Sequence, residues 1–302
     1  MTPVRPVTPA EGTVSAGPGM SLYYRIEGSG PDTIVVPLGA YLDTALAPLA
    51  RTHTVVFYDP RQRGRSAASP DTTLATFDAD VQDLERVRVQ LELSRMALVG
   101  FSYYAAVTAA YAAAHPDRIT RLALLSPIEL TDSLAKRRDV AAAMARIDTV
   151  QARHLVRLRA AGKDTTDAEG YCRAYWKVNA PVYVGDTSHA GRVRSDMCKL
   201  PNEGIRTFAQ HMSLLMRSLE RERDLTRVAN AIRSPTLVIR GDRDLVANPD
   251  GARAWAAAVP NARLLTVRGA GHLAFADDPD TIVRSLATFF GQAWPDAAQP
   301  AR

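Results

Sequence analysis

Three side chains in this sequence combine the right types and neighbours for nucleophilic catalysis. Ser102 follows Gly100 and Phe101, Asp244 closes the run Gly241-Asp242-Arg243-Asp244, and His272 closes Gly269-Ala270-Gly271-His272. A serine hydroxyl becomes a useful nucleophile only when a base takes its proton, and a histidine oriented by a carboxylate is the common way to supply that base. The run Met96 to Val99 reads as a buried strand, and Ala105 to Ala114 is rich in helix formers. Strand, sharp turn bearing a serine, then helix is the context of a nucleophile elbow. There the helix N-terminus and its free N–H groups can stabilise a developing oxyanion. The elbow pattern is Gly-x-Ser-x-Gly, and Gly100-Phe101-Ser102-Tyr103-Tyr104 departs from it at Tyr104, where a small residue is expected.

The elements around these residues alternate between strand and helix. Ser21 to Ile26, Thr33 to Val36, Thr54 to Tyr58, Ile119 to Leu125, Pro235 to Arg240 and Ala262 to Val267 read as strands, the first pairing with a segment near Gly12 to Ser15. Asp78 to Leu91 and Pro279 to Phe290 show helical spacing of apolar residues. This pattern predicts an α/β fold, a doubly wound, mostly parallel sheet covered on both faces. Ligands of such sheets bind beyond the carboxyl ends of the strands. Ser102, Asp244 and His272 each follow a strand there, in the order Ser, Asp, His.

From Ile128 to about Asn230 the strand signal stops, and Ala, Arg and Leu recur at helical spacing. The expected organisation is a core from 1–127 and 231–302, with a helical insertion over 128–230. A helix is expected from Leu134 to Ala161, another opening at the capping box Thr166 to Glu169, and a third from Glu203 to Glu222. Trp294 to Arg302 reads as a disordered tail.

The chain has 302 residues, 46% hydrophobic and 23% charged, which suits a soluble globular protein. No apolar run approaches the ~18 residues of a membrane span. Met1 to Gly12 lacks the apolar region of a signal peptide, so a cytoplasmic protein is expected. The net charge of +5 comes from 37 basic and 32 acidic side chains. Its densest runs, Lys136-Arg137-Arg138 and His154 to Arg159, alternate with Ala and Leu as a solvated helix face would, without the aromatic platforms of nucleic-acid binding. Neither a metal-ligand cluster nor a Gly-x-Gly-x-x-Gly after a strand is present, so no cofactor is expected. Cys172 and Cys198 read as free thiols in a reducing compartment, with a disulfide between them as the alternative. Nothing in the sequence sets an oligomeric state.

Taken in order, Asp59-x-Arg61-x-x-Gly64-x-Ser66, Gly100-Phe101-Ser102, His115-Pro116-Asp117-Arg118, Gly241-Asp242-Arg243-Asp244, and Gly269-Ala270-Gly271-His272 followed by Asp278-Pro279 resemble the α/β-hydrolase superfamily. The insertion resembles its cap domain, and the whole looks most like the proline iminopeptidase and capped esterase branch. The resemblance implies Ser102 as nucleophile, His272 as base and acid, and Asp244 as the group that orients His272. Asp242 and Glu129 are the competing acids. It implies an oxyanion hole from the backbone N–H of Tyr103 and, with Leu38-Gly39 standing where His-Gly is usual, that of Ala40. Leu38, Tyr41, Phe101, Tyr104 and Glu129 are the expected pocket residues. Tyr171, Tyr175 and Trp176 read as packing within the cap. The expected function is hydrolysis of an ester, amide or small peptide bond of a small-molecule substrate through an acyl-enzyme. An aminopeptidase would need a cap carboxylate for the substrate amine, with Glu203 and Glu169 as candidates. Acyl transfer, cyclisation or lyase chemistry on the same fold and a non-catalytic ligand receptor are the alternatives.

Overall fold

The structure, a computed structural model, describes residues 10–69, 71–131, 133, 136, 138–194, 196–222 and 224–300. Nine strands among these residues form one sheet: β1 (Ala10–Gly17), β2 (Met20–Glu27), β3 (Thr33–Pro37), β4 (Thr54–Tyr58), β5 (Met96–Phe101), β6 (Ile119–Leu125), β7 (Thr236–Gly241), β8 (Ala262–Val267) and β9 (Gln299–Pro300). Their order across the sheet is β1-β2-β4-β3-β5-β6-β7-β8-β9. The stretch from β4 to β8 is parallel, and antiparallel strands close both edges. Strands β3 to β5 are buried along their whole length, which is why they read as continuous runs of Val, Ile and Leu rather than alternating ones.

Helices cover the sheet: α1 (Gly39–Leu46), α2 (Phe77–Gln90), α3 (Tyr103–Ala114), α4 (Val140–Ala145), α5 (Thr149–Ala160), α6 (Lys163–Thr166), α7 (Ala168–Tyr183), α8 (Ile205–Glu222), α9 (Leu225–Ala231), α10 (Pro249–Ala258), α11 (Ala274–Asp277) and α12 (Pro279–Phe290). Local chemistry sets many of their starts. The Thr76 hydroxyl accepts from Ala79 N–H at the head of α2, and Asp139, Asp148, Asp167 and Asp224 do the same for α4, α5, α7 and α9.

Those aspartates correct the single helix expected from Leu134 to Ala161. Asp148 caps a new helix at Thr149, so the segment breaks into α4 and α5. Its first turn falls partly outside the described residues, as do Arg137 and residues 1–9. The chain end is a second correction. Gln299 and Pro300 pair with β8, Ala298 is buried, and the Trp294 ring stacks 5.2 Å from Phe289. Apolar anchoring has tied down a segment whose composition alone reads as a loose tail.

Between β6 and β7 the chain is helical, and α7 helps to build a small second core of Tyr171, Cys172, Trp176, Met197, Cys198 and Ile205. Helix α9 instead joins the main core through Leu225 and Ala229. The expectation of free thiols does not hold. Cys172 and Cys198 form a disulfide, with Cα atoms 5.6 Å apart. Their spacing of 26 residues matches no metal motif, and only the fold shows that they meet. Among the described residues, no helix is long and apolar enough to cross a membrane. Closing the loop of 26 residues between Cys172 and Cys198 stabilises the native state by about 3.5 kcal/mol in the chain-entropy description. Cys172→Ser/Cys198→Ser should lose that much in chemical denaturation, and the unreduced, denatured wild type should titrate no free thiol.

Candidate active site

Ser102 stands between β5 and α3 at φ 53° and ψ −121°, a conformation that non-glycine residues rarely adopt and that costs roughly 1–3 kcal/mol. Its N–H donates to Leu125 O at 2.9 Å, and its carbonyl accepts from Ala105 N–H at 3.1 Å, so both neighbours hold the turn. Gly100 explains why the turn can be this tight. A Cβ there would lie 2.6 Å from Ala105 Cα and 2.6 Å from Tyr104 O, and would also strike Thr108 Oγ1. The helix therefore meets the strand at Ala105 and through the Tyr104 backbone. The Tyr104 side chain points elsewhere, packed edge-on against Tyr103 with ring centroids 5.1 Å apart. This accommodates the departure from the small-residue pattern.

His272 and Asp244 converge on that turn. His272 Nε2 is 3.1 Å from Ser102 Oγ, and His272 Nδ1 is 2.8 Å from Asp244 Oδ2. A carboxylate only accepts, so the ring proton sits on Nδ1 and Nε2 is free to accept from the serine hydroxyl. Asp244 Oδ1 accepts from Val246 and Ala247 N–H at 2.8 and 2.9 Å, which fixes the carboxylate. Both His272 and Asp244 are buried. Asp242 faces outward and binds Gly269 N–H at 2.7 Å. Glu129 is not at this site and does not line the cavity beside it. Its oxygens take Arg138 at 2.9 and 2.6 Å and Asn248 N–H at 2.7 Å.

The loop carrying His272 is fastened to the helical insertion. Asp277 Oδ2 accepts from Gly185 and Gly271 N–H, both at 2.8 Å, while its Oδ1 meets His189 Nδ1 at 2.8 Å. A Cβ on Gly271 would lie 2.7 Å from Tyr183 O, so the two backbones touch only because this position is glycine. Tyr183 also packs against His272, with centroids 5.9 Å apart. Neither Asp277 nor Tyr183 stood out in the sequence, because each acts through a partner about ninety residues away.

Tyr103 directly follows Ser102 and is the first residue of α3. The Ala40 N–H donates to Asp59 Oδ1 at 2.8 Å. Asp59 is the brace of that region. It also accepts from Arg65 N–H at 2.9 Å, and burial pushes its carboxyl above the usual range although both N–H groups pull it down. Leu38, in the left-handed region at φ 62°, is the residue of this turn that lines the cavity.

A cavity of about 920 Å³ opens over Ser102 and His272. Leu38, Tyr41, Phe101, Tyr103 and Tyr104 line it, and so do Trp176 and Tyr183 from the helical segment between β6 and β7. Tyr171 and Tyr175 do not. Glu203 is near but occupied. Arg63 meets it through two N–H groups at 2.9 and 2.8 Å, Gly64 N–H donates at 2.8 Å and the Tyr41 hydroxyl at 2.9 Å. Burial raises the Glu203 carboxyl, and the charge of Arg63 together with the hydrogen bonds from Arg63, Gly64 and Tyr41 brings it below its usual range. Glu169 pairs with Arg173 on the exposed face of α7.

A model of the alpha/beta hydrolase fold matches residues 37–279. The chain belongs to this family. It is 28% identical over 123 residues to a proline iminopeptidase of Heyndrickxia coagulans, a match spanning 39% of this chain and 43% of that protein. A proline iminopeptidase of Neisseria gonorrhoeae is 26% identical over 249 residues, or 77% of this chain and 78% of that protein. Among solved structures, an esterase from Exiguobacterium antarcticum superposes with a TM-score of 0.68 at 16% identity, covering 92% of this chain and 98% of that one. The enol-lactonase from Burkholderia xenovorans LB400 gives 0.65 at 24% identity, covering 92% and 99%. These likenesses are to the fold.

Behind the elbow, Asp80 is buried beneath Tyr103, whose hydroxyl lies 3.4 Å from its Oδ2. Burial, and then the charge of Asp83, push its carboxyl up to about 8. Between the ordinary value near 4 and about 8 the native state holds a proton that the unfolded chain releases, so stability should fall as pH rises across that window. Asp80→Asn keeps a neutral group there. Denaturation at about pH 5 and about pH 8 should show a smaller loss in Asp80→Asn than in the wild type.

Proposed function

We propose that this protein is a serine hydrolase that cleaves esters through an acyl-enzyme on Ser102. The observation that carries the reading is the continuous hydrogen-bonded line from Asp244 through His272 to a strained serine above a cavity. Ser102 Oγ gives its proton to His272 Nε2 and attacks the carbonyl carbon. Asp244 stabilises the imidazolium that forms. The oxyanion takes the Tyr103 N–H and a second N–H from the Leu38-Gly39 turn, the Ala40 N–H being committed to Asp59. His272 then protonates the departing alcohol, and water repeats the sequence on the acyl-enzyme.

The lining favours esters over the aminopeptidase alternative. Recognition of a free amine needs a carboxylate facing the cavity. Glu203 is held by Arg63 and Glu169 faces outward, while Asp280, the one carboxylate among the lining residues, is exposed and outnumbered there by arginines. The helical insertion, residues 128–230, acts as a cap by placing Trp176 and Tyr183 over the serine. The disulfide fits an oxidising compartment better than the cytoplasm, so the cytoplasmic expectation is not carried forward.

A fluorophosphonate probe should label the wild type and spare Ser102→Ala. Asp244→Asn should retain the fold and lose roughly 10³–10⁴ in kcat on p-nitrophenyl esters, because His272 loses the partner that sets its tautomer. Equal labelling of Ser102→Ala, or wild-type kcat in Asp244→Asn, would contradict these roles.

A further inference from the structure

The cavity continues away from Ser102 along a groove between two helices that pack against each other, α1 with the turn after it and α12. One wall presents Thr44, Ala45 and Pro48 at helical spacing and ends at Arg51. The opposite wall presents Pro279 and Val283 and ends at Arg284. Small and apolar side chains thus form the sides, and guanidinium groups stand at the outer end.

The charges at that end do not balance. Arg194 is neutralised by Asp43 and Asp196. Arg192 donates to the carbonyl oxygens of Ala276 and Asp277 at 3.3 and 3.2 Å, contacts that orient the guanidinium without cancelling its charge. Arg51, Arg192 and Arg284 are exposed and have no carboxylate partner among the described residues. Asp280 is the single acid on the lining, leaving three cations against one anion. Arginine is the side chain best shaped for carboxylate and phosphate oxygens. A rim of net positive charge beside low-dielectric walls also concentrates ligands of opposite charge.

We propose that this groove selects substrates whose chain has an apolar stem ending in an anionic group, a carboxylate or a phosphate, held by Arg51, Arg192 and Arg284 while the ester carbonyl sits at Ser102. The proposal rests on the hydrolase reading for its chemistry but not for its binding. It adds a substrate class to that reading: an amphipathic anion rather than a neutral ester.

The test compares kcat/KM for p-nitrophenyl octanoate, mono-p-nitrophenyl octanedioate and p-nitrophenyl 8-phosphonooxyoctanoate. A second arm, phenyl hexanoate against 4-carboxyphenyl hexanoate, places the anion on the alcohol side. In at least one arm the anionic ester should be favoured about tenfold or more at low salt, and added salt should reduce the preference. The two anions of the first arm separate carboxylate from phosphate. Arg51→Gln/Arg284→Gln should collapse the ratio of anionic to neutral rates, and Arg51→Lys/Arg284→Lys should keep most of it. A ratio below about threefold in both arms, or a ratio that the Gln variant leaves unchanged, overturns the proposal. Should the wild type turn over none of these esters, the hydrolase reading fails, and calorimetry on Ser102→Ala decides the groove by itself. Monomethyl octanedioate binding about tenfold tighter than the neutral methyl octanoate sustains it, and equal affinities overturn it.

Discussion

The close approach of β5 and α3 at Gly100 is the constraint on which the site depends. Strand and helix run so near each other that a single added carbon would strike Ala105, Thr108 and the Tyr104 carbonyl. The connecting turn is then too short for relaxed backbone, and Ser102 takes up the difference at φ 53°. That strain lifts its hydroxyl to 3.1 Å from His272 Nε2, with Tyr103 as the first residue of the helix that follows. A buried sheet, bonded on both sides of β5, supplies the stability that keeps the turn from relaxing.

Three buried carboxylates hold the surrounding loops, and none of them meets the serine. Asp59 gathers the Ala40 and Arg65 N–H groups beneath the cavity wall. Glu203 ties the helical insertion to the turn at Arg63 and Gly64. Asp277 ties the same insertion to the histidine loop through Gly185 and Gly271. Each satisfies backbone N–H groups that would otherwise be costly to bury. Positioning is thus electrostatic at the loops and steric at the elbow. Glu203 and Asp277 bond the helical segment between β6 and β7 to two separate loops of the site.

Much of this was legible in the sequence because its signals are local. Buried parallel strands announce themselves as continuous apolar runs, and Ser102 and Asp244 each follow one. What was not legible depended on contacts between distant segments. Asp277 and Glu203 look like ordinary surface acids until the fold brings their partners to them. Tyr183 sits at a helix end with nothing in its neighbours to mark it. Cys172 and Cys198 carried only a compartment prior, and that prior pointed away from the bond they form. Ala40 was the natural match to the family pattern, yet a carboxylate nineteen residues away occupies its N–H. Tyr104 was read as breaking a packing rule that, in this chain, falls on Ala105.

The central claim is that chemistry passes through a covalent bond to Ser102. Intact-protein mass spectrometry on samples acid-quenched during turnover of a slow p-nitrophenyl ester tests it most directly. An added mass equal to the acyl group, mapped to the peptide containing Ser102 and lost as the substrate is exhausted, is the predicted result. Turnover that continues in Ser102→Ala, or an adduct carried by another residue, would contradict it.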